Sequence, residues 1–153
     1  MKEWNNPKEL KKTIKYIQDL GFKVINLDIK PYNKQIENVI YLNDKPYSLQ
    51  DKINIISNAT FFLGLPSGLS WLAWACKVPA VVFGSFCLPT CEFENPYRII
   101  NTDFCFGCWN YNNTSSCSFN EKDKERFAIC NKSITSQQIQ STIDKLLKDK
   151  NLL

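Results

Sequence analysis

Residues Thr60–Phe86 read TFFLGLPSGLSWLAWACKVPAVVFGSF, and the fold turns on how this run is broken. Ala59–Leu65 is apolar at nearly every position, which suits a parallel strand covered on both faces. Pro66-Ser67-Gly68 interrupts it with small residues and a helix breaker. Leu69–Cys76 then reads as a helix with so little polar surface that burial is expected. Pro79 opens a second apolar strand, Ala80–Phe86. Strand, turn, helix and strand in that order make a βαβ unit.

The flanks repeat the alternation. Asn6 caps a helix with Pro7 at its first position, and Leu10, Ile14, Ile17 and Leu20 recur at helical spacing until Gly21 stops it. Lys23–Ile29 and Asn38–Leu42 follow as strands. Ser48 with Asp51 starts a helix carrying Leu49, Ile53 and Ile56. Arg98–Asn101 is one more short strand. Thr135 with Gln138 caps a last helix with Ile139, Ile143, Leu146 and Leu147. The expected class is α/β, a Rossmann-like parallel sheet spanning residues 1–153 as one domain. Residues 102–133 form an insertion within it, poor in aliphatic residues and carrying four cysteines.

Composition narrows the function. With 153 residues, 44% hydrophobic and 13% aromatic, the chain can bury a core, and disorder is excluded. No apolar run is long enough for a membrane span, and MKEWNNPKELKK lacks the apolar stretch of a signal peptide. A cytoplasmic protein is expected. The net charge of +4 comes from lysines scattered along helices, without the dense basic patch that nucleic acid requires. The absence of histidine excludes Ser-His and Cys-His catalytic pairs within the chain. Seven cysteines, an odd number, fit metal chemistry better than a disulfide framework.

Two readings of Pro66-Ser67-Gly68 stay open. Ser67 and Gly68 can serve only as cap and turn. Alternatively, a helix start at the carboxyl end of a buried strand offers free N–H groups and the positive end of a dipole to a phosphate. No G-K-[ST] follows, and the pattern is not G-x-S-x-G.

Cys105-Phe-Gly-Cys108 is a C-x-x-C knuckle, and Cys117 and Cys130 complete a set of four. Four thiolates suit Zn²⁺ or a single iron ion, and zinc is the default from spacing alone. A bound metal would order a polar segment that has no core of its own. Cys76, Cys87 and Cys91 lie outside this finger.

The run GLPSGLSWLAWACKVPAVVFGSF resembles a segment of the family 9 glycosyltransferases, and more closely the bacterial autotransporter heptosyltransferases. The latter share SSGLSWLAWA, a K-x-WNNP motif, an EF…PYR-[VI]-IN run and a four-cysteine finger. Here these correspond to Lys2–Pro7, Ser67–Ala75, Glu92-Phe93 with Pro96–Asn101, and Cys105, Cys108, Cys117 and Cys130. The resemblance implies the C-terminal, nucleotide-sugar-binding half of a GT-B glycosyltransferase. ADP-heptose would be the donor and Ser/Thr of an autotransporter the acceptor. Lys2 would pair with the pyrophosphate, and the amides of Ser67, Gly68 and Leu69 would cradle it. Glu92 and Glu94 can bind sugar hydroxyls or be solvated loop acids. The finger would hold iron, with zinc the alternative. Pro66 and Trp71 depart from the Asp and His of the lipopolysaccharide branch, so contacts of those two do not carry over.

The resemblance also places the general base, an Asp, in an N-terminal domain, and a central strand just ahead of Lys2. Neither is found among these residues. The expectation is an unpaired edge in the middle of the sheet. An upstream reading frame would supply the rest of the enzyme, and the chain alone would be inactive and poorly soluble or oligomeric. Two other functions stay open: a non-catalytic metal-finger assembly module, and a GT-B transferase of another activated sugar.

Overall fold

The computed structural model describes residues 4, 6–28, 36–42, 46–112, 117, 119, 122–123 and 127–152. Each long helix starts where its caps dictate. Asn6 accepts from the Glu9 N–H ahead of α1 (Pro7–Asp19), and Gly21 takes φ +88° as the chain leaves it. Ser48 and Asp51 close a reciprocal box on α2 (Leu49–Ser57), as Thr135 and Gln138 do on α6 (Ser136–Asp149). Between them lie α3 (Gly68–Ala75), α4 (Cys108–Asn112) and α5 (Ile129–Lys132).

The strands are β1 (Val24–Asn26), β2 (Val39–Tyr41), β3 (Phe62–Gly64), β4 (Ala80–Phe83) and β5 (Arg98–Ile99). Every pairing is parallel, with Val24 opposite Val39, Phe62 opposite Ala80 and Val82 opposite Arg98. Among the described residues they form two groups: β1 pairs with β2, and β3–β4–β5 form the second.

Both groups lie between the same two helical layers. Val24, Phe61, Leu63, Val81 and Phe83 pack with Ile17 of α1 and with Ile139, Ile143, Leu146 and Leu147 of α6. Leu27, Phe62, Ala80 and Val82 pack on the opposite face with Ile56 of α2 and Ala73 of α3. Odd and even positions of each strand thus feed different layers, as the pleat requires. Glu9 ties α1 to the start of α6 by accepting from the Ser136 N–H at 2.7 Å and from its hydroxyl at 2.8 Å. Tyr16 donates to Asp144 across the same pair of helices, and burial and that carboxylate push its phenol up to about 12.

Three expectations need correction. The ladders are shorter than the apolar runs, because pairing stops while the apolar sequence continues into loops. β3 is only half-buried, since it has a neighbour on one side, whereas β4, paired on both, is buried throughout. The helix after the break is not buried throughout: Ser70 and Ala73 of α3 are buried, and Leu69 and Leu72 are half-buried against the core beside them. Trp71 and Trp74 are 41% and 53% exposed and cover one another and Phe93, with ring centroids 5.4–5.9 Å apart.

Candidate functional site

The break between β3 and α3 lies at the carboxyl ends of the strands. Ser67 is extended, at φ −162° and ψ 175°. Its N–H donates to Ser70 Oγ at 3.0 Å, and the Ser70 hydroxyl donates back to the Ser67 carbonyl at 2.7 Å. Ser70 is fully buried, so this pair fixes the turn from inside. Gly68 and Leu69 occupy the first helical turn, where N–H groups have no intrahelical acceptor. Gly68 is exposed, and a Cβ built on it would meet nothing within 4 Å. An open helix start with two free amides, a serine hydroxyl and the positive end of the helix dipole suits a phosphate oxygen. Of the three amides expected there, that of Ser67 is engaged within the turn.

β4 ends against this loop at Gly84, whose φ is +134°. A Cβ there would come within 3.2 Å of Asn131 Oδ1 and 3.3 Å of Pro66 Cδ, so only glycine fits this conformation and this spacing. Beyond it runs a buried polar network that sequence reasoning missed. The Ser85 N–H donates to Asn131 Oδ1 at 3.0 Å. The Asn101 N–H donates to Ser85 Oγ at 3.0 Å, and Asn101 Nδ2 to Ser133 Oγ at 2.8 Å. The network joins the end of β4 to the segment carrying Cys130.

Glu92 follows a 3-10 turn at Pro89–Cys91. Its side chain is nine-tenths buried, 3.8 Å from Arg98 Nη1, and accepts from the Cys87 thiol at 3.1 Å. Arg98 in turn donates to the Gly84 carbonyl at 3.2 Å. Burial and the Glu92 carboxylate raise the Cys87 thiol above its ordinary value. One Glu92 oxygen, Oε2, and Arg98 Nε have no hydrogen-bond partner. Glu92 therefore sits in an ion pair at the base of the loop, and Glu94 is exposed.

Lys2 lies outside the described residues. Trp4 and Asn6 of its motif are held at the same end of the sheet. Trp4 Nε1 donates to the Ile134 carbonyl at 3.2 Å, and its ring meets Phe83 edge-on at 4.9 Å. Asn6 Nδ2 donates to the Lys132 carbonyl at 2.9 Å.

All seven cysteines are free. Cys108 and Cys130 are buried, and Cys105 is exposed. Gly107, at φ +67°, bends the C-x-x-C knuckle, and its N–H donates to the Ser85 carbonyl at 2.7 Å. The Ala128 N–H donates to Cys117 Sγ at 3.4 Å. Burial, then the charges of Cys108 and Cys117, raise the Cys105 thiol; burial, then Cys105 and Cys108, push Cys130 up to about 11. The four thiols are thus near enough to act on one another. Among the described residues, however, no three Cys, Asp or Glu side chains close on a coordination sphere. The donor set fits a thiolate metal in kind, and its geometry is looser than a metal site.

A groove of about 530 Å³ runs between β5 and α6, lined by Arg98, Thr135, Gln138 and Thr142 among others. It does not touch the β3–α3 loop, and it is open and shallow. The loop, with its free donors, is the better candidate site.

No family model matches the chain. The chain is 34% identical to the autotransporter heptosyltransferase TibC of Escherichia coli O78:H11 over 160 residues, covering 95% of this chain and 39% of TibC. It is a homologue of the autotransporter heptosyltransferases. The heptosyltransferase Aah of Escherichia coli is 33% identical, over 95% of this chain and 40% of Aah. The crystal structure of dodecameric, iron-containing TibC in complex with ADP-D-β-D-heptose superposes with a TM-score of 0.84 at 31% identity. It matches 97% of this chain and 42% of that one. The chain therefore spans about two-fifths of the length of these relatives. An inactive autotransporter heptosyltransferase of Burkholderia thailandensis, BimC, is also similar, 28% identical over 92% of this chain and 36% of BimC. Homology within this group thus extends to a protein without activity. No helix among the described residues is long and apolar enough to cross a membrane.

Proposed function

We propose that this chain is the nucleotide-sugar-binding half of a protein O-heptosyltransferase. Its donor would be ADP-heptose, and its acceptor would be Ser/Thr of an autotransporter in the cytoplasm. The observation that carries this reading is the open start of α3. Gly68 and Leu69 present N–H groups, Ser67 its hydroxyl, and nothing crowds Gly68. A pyrophosphate oxygen accepts from those amides, and Lys2 supplies the opposing charge. Glu92 acts by holding Arg98 and the loop after β4 in place rather than by reaching the sugar. The likeness to a relative crystallised with ADP-D-β-D-heptose supports this choice of donor.

Cys105, Cys108, Cys117 and Cys130 are the residues that would hold a metal, with iron favoured over zinc because TibC is described as iron-containing. Its contribution when bound would be structural, tying the finger to the sheet. The thiols must lose their protons to bind it, so binding weakens as pH falls. The general base would come from the part of the enzyme fold outside these residues. Homo-oligomers are a further expectation.

A second reading, a non-catalytic assembly module, is favoured by the inactive relative BimC. Melting with and without ADP separates the two. Nucleotide binding at 100 times Kd raises stability by about 2.7 kcal/mol. A melting point indifferent to millimolar ADP and ADP-heptose would favour the assembly module. A rise with another nucleotide sugar alone would identify a different donor.

A further inference from the structure

The stretch after β4, Ser85–Leu88, finds main-chain partners in the cysteine finger. The Gly107 N–H donates to the Ser85 carbonyl at 2.7 Å, and the Trp109 N–H to the Phe86 carbonyl at 3.2 Å. The Leu88 N–H donates to Asn110 Oδ1 at 2.9 Å. These partners belong to the knuckle that carries Cys108. The Ser85 N–H donates at 3.0 Å to Oδ1 of Asn131, the residue after Cys130. Ser85, Gly107 and Asn131 are buried, so a group there that loses its partner gains no water in exchange. Two arms of the finger, each adjoining a cysteine, therefore grip one short stretch of chain.

The grip continues to the start of α3. Gly84 precedes the stretch at φ +134°, a conformation that favours glycine. A Cβ on it would lie 3.2 Å from Asn131 Oδ1, 3.3 Å from Pro66 Cδ and 3.4 Å from Leu65 Cδ2. Asn131, Gly84 and Pro66 also line one small gap together with Leu65 and Phe86. Gly84 is thus a spacer between Asn131 and Pro66. Pro66 is buried and its ring fixes φ, so a shift there passes on to Ser67 instead of being absorbed. Ser67 opens the turn that presents the Gly68 and Leu69 amides.

We propose that the cysteine finger sets the shape of the α3 turn, with Asn131 as the positioning residue that connects the two. Asn131 acts on the turn through Gly84 and Pro66. Filling of the finger by a metal ion and binding of a ligand at the turn then favour each other, because both need the same arrangement of Gly84–Leu88. Cys108 lies in one arm and Cys130 adjoins the other, so thiolates of both on one ion would hold the arms about the stretch between them. Only the identity of the ligand, ADP, rests on the proposed function; the path from Asn131 to Ser67 is a matter of packing.

Hydrogen exchange on the full chain tests the path, with Zn²⁺ as a redox-silent probe suited to four thiolates. The Ser67 N–H reports the turn, because it donates to Ser70 Oγ. Ser85 and Leu88 report the grip, and Val82, in the β4 ladder, reports the sheet. In the chelator-stripped, reduced chain, Ser67, Ser85 and Leu88 should exchange at least about tenfold faster than in the Zn²⁺-loaded chain, with Val82 unchanged. Asn131→Ala should speed Ser67 and Ser85 in the loaded chain, while the zinc content stays that of the parent. By calorimetry, ADP should bind the stripped chain at least about fivefold more weakly than the loaded one, and Asn131→Ala should shrink that ratio.

Three results would overturn the proposal. Ser67 equally protected in the stripped, loaded and variant chains would end the grip at Ser85. Val82 losing protection alongside Ser67 would mean that the finger supports the whole sheet and not the turn. Equal ADP affinity in stripped and loaded chains would remove the coupling. A loaded chain that binds no ADP would count against the proposed function, and the exchange of Ser67 would still decide whether the finger shapes the turn.

Discussion

Gly68→Val separates ligand binding from folding with little ambiguity. A Cβ at Gly68 meets no atom within 4 Å, and the residue has an ordinary backbone conformation. Helix propensities of valine and glycine differ by only about 0.5 kcal/mol, so the melting point without ligand should hardly move. The valine methyls would fill the space in front of the Gly68 and Leu69 amides. Each amide bond to a charged phosphate is worth about 1.5–3 kcal/mol, so losing both costs about 3–6 kcal/mol. At 1.4 kcal/mol per decade, ADP affinity should fall by roughly a hundredfold to ten-thousandfold. Calorimetric titration of ADP into both proteins, with melting curves as the folding control, measures it. A variant that folds normally and binds ADP as tightly as the parent would refute the assignment of phosphate to the start of α3.

Other outcomes follow from the same structure. Lys12 and Ser136 hold the Glu9 carboxyl down to about 2, against 4.5 when unfolded. Its stabilising effect is therefore complete above about pH 4.5 and disappears as pH falls to about 2. Glu9→Ala should lower the melting point at pH 7, and parent and variant should converge near pH 2. Asn131→Ala leaves the buried Ser85 N–H without its acceptor and should cost about 1–3 kcal/mol in a denaturant titration. Cys108→Ser should abolish any metal retained by protein purified without added metal, read by elemental analysis, while the β4 amides stay protected. Metal retained at the parent's stoichiometry would remove Cys108 from the ligand set. Lys2→Ala should weaken binding of ADP-sugar more than of adenosine, and equal losses would show that Lys2 does not touch phosphate.

Local signals in the sequence carried most of the fold. Asn6, the Ser48–Asp51 pair and the Thr135–Gln138 pair mark helix starts because capping involves residues three apart. The strand–break–helix run at Ala59–Cys76 placed the loop with free amides. Strand length was less legible, because hydrophobicity reports burial and not where a ladder ends. The exposure of Trp71 and Trp74 was illegible for a related reason: an aromatic run reads as core even when its rings shield one another at the surface. The Glu92–Arg98 pair depends on how the loop after β4 folds back, and no spacing rule anticipates it. The Ser85–Asn101–Asn131 network joins residues up to 46 positions apart through common side chains, so only the fold reveals it.

The most direct test of the central claim is calorimetric titration of ADP-heptose into the purified chain. The account predicts one saturable site per chain. Binding should be lost in Gly68→Val and retained in a variant of the exposed α3 tryptophans such as Trp74→Ala. Absence of binding by ADP-heptose and by ADP, in a chain whose β4 amides are protected from exchange, would contradict the account.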